Sequence, residues 1–389
     1  MNKLIKGGKV YSPEYLGVKD ILIVGDKIVK IAENIDTSNS ILDIEVIDGE
    51  GKIVVPGFID QHVHIIGGGG EAGFHSRTPE VMLSKVIEAG ITTVVGLLGT
   101  DGCTRQVESL IAKAKGLETE GISTYIHTGS YEIPSVTLTG SVKRDIMFID
   151  KVIGVKMALS DHRSSHITEQ ELIRLASDAR VAGMLSNKAG LVIMHIGDAK
   201  ERLDMVMKIV KDTDIPVKHF CPTHVNRNRA LFEQAMEFAK IGGSIDLTAG
   251  TAASANDTRG VKSSKAVAEC IKNNVPIENI TMSSDGNGST SEYDDRGNII
   301  KLGASSLNTL HLELKDMIKE EGLNISTALK VITSNVAKVL GIYPVKGYID
   351  VHSDADIVLM DKELNIHSVI AKGRMMMENG EIIVKGSFE

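Results

Sequence analysis

The chain has 389 residues, 42% hydrophobic and 24% charged, with a formal net charge of −8, a size and balance that fit two globular domains or one barrel with additions. The mild acidity leaves no basic excess to hold nucleic acid or an anionic membrane surface, so neither is an expected partner. Its three cysteines, Cys103, Cys221 and Cys270, are far apart and never in CxxC spacing, which excludes a disulfide framework and a thiolate zinc site.

The opening residues, Met1 to Gly8, show no apolar signal core, and no stretch approaches a membrane span; a cytoplasmic location is the expectation. Residues 1 to about 55 read as short strands: 19–24 and 27–31 flank a Gly25-Asp26 turn, a hairpin signal, and 43–48 precedes Gly49 and Gly51. An apolar run at 53–55 leads into Gly57-Phe58-Ile59-Asp60-Gln61-His62-Val63-His64, then four glycines, Gly67 to Gly70, and Glu71. A strand sends alternate side chains to one face, so His62 and His64 point the same way, as a pair of metal ligands would.

From His62 to about residue 340, apolar strands alternate with helical segments. Strands are predicted at 91–96, 123–127, 153–158, 191–195, 217–220, 244–248 and 280–285. Thr78-Pro79 predicts a cap before a first-turn proline, and Thr168-Glu169-Gln170-Glu171 a capping box that opens a long helix. With the strand at 53–59 the buried strands number eight, which fits an α/β fold of the (β/α)8 TIM-barrel type. A doubly wound sheet is the alternative, but no GxGxxG stands at a first βα turn. Two helical stretches, near 304–322 and 325–340, close the barrel, and strands return at 356–360, 368–374 and 381–384. The expectation is a small β-sandwich domain formed by both termini, residues 1–55 plus 345–389, around a barrel over 56–344.

Active sites of such barrels lie at the C-terminal ends of the strands. Those ends carry His62 and His64, then Lys156 within a nearly all-apolar run, His195, His224 after Cys221-Pro222-Thr223, and Asp285. Each has a plainer explanation: a polar strand terminus, a lysine whose amine reaches an end, an aspartate that starts a turn. His127, His162 and His219 are read in that plain way. Together the six positions point to one metal site, because strand order and end placement come from periodicity and not from residue type. A lysine ammonium would repel the metals, unless the amine is carboxylated by CO2 into an anion that bridges two of them.

This HxH, lysine, histidine, histidine, aspartate pattern resembles the amidohydrolase superfamily. Longer runs narrow the resemblance: GFIDQHVHIIGGGGEAG at 57–73, SRTPE at 76–80, VVGLLGTD at 94–101, VIGVKMALSDHR at 152–163, PTHVNRN at 222–228 and SSDGNGS at 283–289. These are similar to isoaspartyl (β-aspartyl) dipeptidases, metallopeptidases of family M38, over essentially the whole chain. The resemblance implies two Zn2+ per subunit. His62, His64 and Asp285 would hold one, His195 and His224 the other, with N6-carboxylated Lys156 bridging both; manganese or cobalt could substitute. It implies cleavage of the isopeptide bond of β-aspartyl dipeptides, with a metal-bridging hydroxide as nucleophile and Asp285 as general base. Tyr131 would be the catalytic donor to the oxyanion.

Such a substrate carries an ammonium and two carboxylates. Arg163 and Arg227, on barrel-top loops, suit the carboxylates, since the guanidinium fork donates two parallel bonds. Glu71 suits the ammonium, and Gly69 and Gly70 let backbone approach the ligand. Thr100 and Ser289 are further substrate contacts carried over from the resemblance. It also implies a homo-oligomer, an octamer among the forms open. Two alternatives stand beside it: a cyclic-amide hydrolase of the dihydroorotase or hydantoinase kind, and a non-catalytic scaffold of the same fold.

Overall fold

The computed structural model describes residues 2–38, 40–41, 43–251, 259–293 and 299–389. Eight parallel strands pair in sequence order: β1 (Phe58–Val63), β2 (Ile91–Gly96), β3 (Ser123–Gly129), β4 (Val152–Leu159), β5 (Leu191–Ile196), β6 (Phe220–Thr223), β7 (Ile245–Thr248) and β8 (Ile280–Ser283). A helix follows each: α1 (Leu83–Glu88), α2 (Val107–Glu120), α3 (Val142–Phe148), α4 (Glu169–Ser186), α5 (Asp204–Asp212), α6 (Arg229–Lys240), α7 (Ser263–Lys272) and α8 (Thr309–Lys319). The seam between β8 and β1 is bridged at Val63 and Gly286, where the His64 N–H donates to the Gly286 carbonyl at 2.9 Å. The result is a nearly closed (β/α)8 barrel.

Helix α4 shows how sequence builds the outer layer. Thr168 accepts the Glu171 N–H while the Glu171 carboxylate accepts that of Thr168, the predicted capping box. Leu172, Leu175, Ala176 and Ala179 recur on one face and are buried in the main core. Trimming a buried leucine such as Leu172 to alanine costs about 2–5 kcal/mol. Inside the barrel a smaller cluster joins Ile59, Ile153, Leu191 and Ile193 to Val336, Ala337 and Leu340 of a closing helical segment. That packing plugs the interior and leaves the strands' C-terminal ends open for polar side chains.

The chain ends form a separate nine-stranded sheet, joined where Ile53–Pro56 pairs antiparallel with Ile357–Met360. Near its middle lies Asn2–Tyr11, which pairs with Tyr15–Val24, Ile44–Asp48 and Ile53–Pro56 and falls in the strand-rich stretch 1–55 without having been delimited there. Its alternation is broken by Gly7 and Gly8, and partners on both sides decide its conformation.

Three predicted boundaries are corrected. The run 53–59 is two strands: Pro56 ends the one in the terminal sheet, and Gly57, whose added Cβ would meet Thr92 Oγ1 at 2.2 Å, turns the chain into β1. Thr78-Pro79 opens no helix, since α1 starts at Leu83. The Thr78 hydroxyl is spent on the glycine loop instead, where it accepts the Gly68 N–H at 2.7 Å and donates to the Asn287 carbonyl at 2.8 Å. Residues 217–219 form a single 3-10 turn after Pro216, so β6 starts at Phe220.

Candidate metal centre and active site

The strand ends bring the six predicted metal-ligand residues together. His62, His64, Lys156, His195 and His224 are all buried, while Asp285 is partly exposed. The ring centroids of His62 and His224 are 4.9 Å apart, those of His195 and His224 4.6 Å, and those of His62 and His64 5.6 Å. Asp285 Oδ1 lies 3.2 Å from His64 Nε2 and 3.4 Å from His62 Nε2, and Lys156 Nζ lies 3.2 Å from His62 Nε2. His62, His224 and Asp285 each offer a ligand atom within 4.8 Å of the others. His224 and Asp285 have left-handed backbones, at φ 62° and 51°. Non-glycine residues rarely adopt that conformation, and it recurs at functional positions.

Electrostatics keep the imidazoles of the cluster unprotonated. Burial pushes His62, His195 and His224 well below the ordinary imidazole range, and their positive neighbours add to the effect. The rings are therefore neutral, as metal ligands must be. Burial also brings the Lys156 amine down to about 7, so a nucleophilic neutral amine is available to CO2. Neutral His62 Nε2 and Asp285 Oδ1 face each other at 3.4 Å, two electron-pair donors turned to one point. A set of imidazoles and carboxylate without thiolate fits zinc or a similar divalent ion.

Surrounding hydrogen bonds were not read from the sequence. His195 Nε2 lies 2.9 Å from Asp161 Oδ2, which fixes the proton there and turns Nδ1 inward. Burial alone would raise the Asp161 carboxyl. Bonds from His195 and Arg163 outweigh it and hold the group well below the usual carboxylate range. His224 Nδ1 likewise pairs with Thr248 Oγ1 at 2.7 Å. The Tyr131 hydroxyl sits 2.6 Å from His195 Nδ1, and burial raises its pKa, so it remains a neutral donor. One deeper layer holds Asp60, which accepts from the N–H groups of His62 and Ser284 and from the Ser284 hydroxyl. It therefore ties β1 to β8 beside the predicted ligands. Asp161 had a signal, lying two residues before Arg163 in the quoted SDHR run. Asp60 and Thr248 had none, because strand spacing does not reveal a partner on a distant strand.

The predicted substrate residues rim this cluster. The glycine loop is held by Arg105, buried at 4% exposure, which donates to the carbonyls of Ile66, Gly67, Gly68 and Thr78. Gly69 has φ 74°, and a Cβ there would meet the Ser76 carbonyl at 2.5 Å and Ser289 Cβ at 3.2 Å. Gly70 has φ 108°. Glu71 Oε1 accepts from Thr100 Oγ1 and from Arg163 Nη1, each at 3.3 Å. Arg163 is gripped by Asp161 through Nε and Nη2, both at 2.9 Å. Arg227 Nη1 donates to the Ile196 carbonyl at 2.6 Å and lies 3.2 Å from His195 Nε2. Of the plain histidines, His162 is exposed and His219 pairs with Arg180 and the Gly190 carbonyl, outside the cluster. His127 is buried in the barrel.

Residues 53–376 match the family model described as the amidohydrolase family. A crystal structure of β-aspartyl dipeptidase from Fervidobacterium islandicum AW-1, in complex with β-Asp-Leu dipeptide, superposes with a TM-score of 0.90 and 45% identity, covering 98% of each chain. A dihydropyrimidinase from Brevibacillus agri superposes with a TM-score of 0.72 at 17% identity, covering 100% of this chain and 97% of that one, a likeness of fold alone. Among curated sequences, a dihydroorotase from Staphylococcus epidermidis is 41% identical over 98 residues, a match spanning 25% of this chain and only 22% of that relative. Among the described residues, no helix is long and apolar enough to cross a membrane.

Proposed function

The chain belongs to the amidohydrolase family, and from that premise we propose that it is a β-aspartyl (isoaspartyl) dipeptidase. The observation that carries this reading is the rim: Glu71, Arg163 and Arg227 stand beside the histidine cluster, with a carboxylate for an ammonium and two guanidiniums for carboxylates. A cyclic amide such as dihydroorotate has no ammonium for Glu71. The strong likeness to a structure that holds β-Asp-Leu supports the same choice.

In this proposal His62, His64 and Asp285 would hold one zinc ion and His195 and His224 a second, with carboxylated Lys156 completing the ligand set. Bound zinc would acidify water and polarise the scissile carbonyl. The chain's own groups do the rest. Asp285 takes a proton on its carboxylate from the attacking water and delivers it to the leaving amine nitrogen. Tyr131 donates its hydroxyl to the oxyanion, a role that its raised pKa suits. Asp161 keeps the His195 proton on Nε2, and Arg105 keeps the glycine loop in the shape that presents Glu71. The division into a terminal β domain (1–55 plus 345–389) and a barrel (56–344) belongs to the same proposal, supported by the strand pairing.

The test is direct. Purified protein loaded with zinc is assayed on β-Asp-Leu and on dihydroorotate, and its metal content is measured. Hydrolysis of β-Asp-Leu with close to two zinc ions per chain is the expected result. Activity on dihydroorotate alone would transfer the protein to the cyclic-amide hydrolases, and inactivity with less than one zinc per chain would make it a scaffold.

A further inference from the structure

The two groups expected to read a substrate's opposite charges, Glu71 and Arg163, are bonded to each other. Glu71 Oε1 accepts from Arg163 Nη1 at 3.3 Å, and both side chains remain partly open to solvent, at 20% and 25% exposure. Each is also held by something other than its partner. Arg163 is clamped by buried Asp161 through two 2.9 Å bonds, which use Nε and Nη2 and leave Nη1 as the nitrogen turned to Glu71. Glu71 is steadied by the Thr100 hydroxyl at 3.3 Å and sits at the end of a loop splinted by Arg105. Breaking the pair therefore requires neither group to move far.

We propose that the Glu71–Arg163 ion pair is a placeholder, displaced by a ligand that carries an ammonium and a carboxylate on one head, and that it rejects ligands bearing only one of those charges. This rests on the dipeptidase reading and gives it a selectivity device. A zwitterionic α-amino-acid head replaces both halves of the pair, so no charge is left without a counterpart. A ligand with the carboxylate alone must pull Arg163 Nη1 away from Glu71 and offers Glu71 nothing in return. Discrimination then comes from the charge left unpaired in the wrong complex as well as from contacts in the right one. The length of the pair and its access to water favour exchange, because a partly exposed ion pair is weakly held. The Asp161 clamp ensures that Arg163 is already oriented when the partner changes, so little ordering accompanies binding.

The experiment uses metal-loaded wild-type protein, Glu71→Gln and Glu71→Ala, with zinc content confirmed in each. Two ligands are compared: β-Asp-Leu, and succinyl-leucine, which is the same molecule without its α-amino group. In the wild type, succinyl-leucine should bind at least about tenfold more weakly than β-Asp-Leu. Removing the Glu71 charge frees Arg163, so both variants should bind succinyl-leucine about tenfold more tightly than wild type and β-Asp-Leu about tenfold more weakly. A substitution that merely damaged the loop would weaken both ligands. Succinyl-leucine binding the variants no more tightly than wild type overturns the placeholder. Its affinity is read by calorimetry independently of β-Asp-Leu hydrolysis, so failure of wild-type protein to hydrolyse β-Asp-Leu counts separately, against the dipeptidase reading.

Discussion

His195 has both ring nitrogens engaged by neighbouring side chains, Nε2 by Asp161 Oδ2 at 2.9 Å and Nδ1 by the Tyr131 hydroxyl at 2.6 Å, and His224 has Nδ1 engaged by Thr248 Oγ1 at 2.7 Å. Nδ1 of His62 and Nδ1 of His64 are buried and have no hydrogen-bond partner among the described residues. One half of the cluster is thus oriented by the chain itself. The other turns Nε2 toward Asp285 and leaves its far side unsatisfied, an arrangement that costs about 1–3 kcal/mol per buried polar group when nothing compensates. The comparison implies that the β5–β6 half is oriented by the chain's own side chains, whereas the β1 half has side-chain partners, among the described residues, only on its Nε2 side, where Asp285 and Lys156 lie.

Substitutions can break or sharpen that contrast. Lys156→Ala removes the group proposed to join the halves and should have the largest effect. Loss of more than about a thousandfold in kcat is expected, exceeding the 10–100-fold typical of residues that only support ligands. Metal content should fall with it, and retention of full activity would remove Lys156 from the centre. Asp161→Asn comes next. Its amide cannot accept from both His195 and Arg163 as the carboxylate does, so a roughly 10–100-fold loss in activity or metal affinity is expected, read by metal titration and steady-state rates. Thr248→Val should have the smallest effect, roughly two- to tenfold, the worth of one net hydrogen bond. If Thr248→Val matched Lys156→Ala, the supported half would not be preorganised at all.

Asp161 also predicts a pH dependence of stability. Its carboxyl is held below the usual range in the folded chain, so it stabilises the fold above its unfolded pKa of about 3.9. That contribution is lost as pH falls through the lower, folded value. Urea titrations of wild type and Asp161→Asn should therefore differ most near neutrality and converge as the pH drops below about 4. A gap that widened on acidification would contradict the assigned hydrogen bonds.

How much of this was legible depends on how far apart the cooperating residues lie. The capping box of α4 needs only Thr168 and Glu171 and was read correctly. The Thr78-Pro79 cap used the same kind of local rule and failed, because the Thr78 hydroxyl is taken by Gly68 and by Asn287, 209 residues away. Asn2–Tyr11 lay in a stretch read as strands but was not delimited, because its partners include Ile53–Pro56, which in turn pairs with a strand from the other end of the chain. At the site, residue types at strand ends were readable, and Arg105 was not: a buried arginine whose acceptors are all backbone carbonyls leaves no side-chain pattern to find.

Period and residue type alone determined that eight apolar strands alternate with helices and that His62, His64, Lys156, His195, His224 and Asp285 stand where a barrel gathers polar side chains. Both follow from the two-residue repeat of a strand and the shared direction of parallel strands. Tertiary structure decided the rest: that Asp285 comes within 3.2 Å of His64 across 221 residues, that Asp161 rather than a solvent contact orients His195, and that Glu71 meets Arg163. Those pairings depend on where loops of different strands close over one barrel mouth, and no local rule on the chain carries that distance.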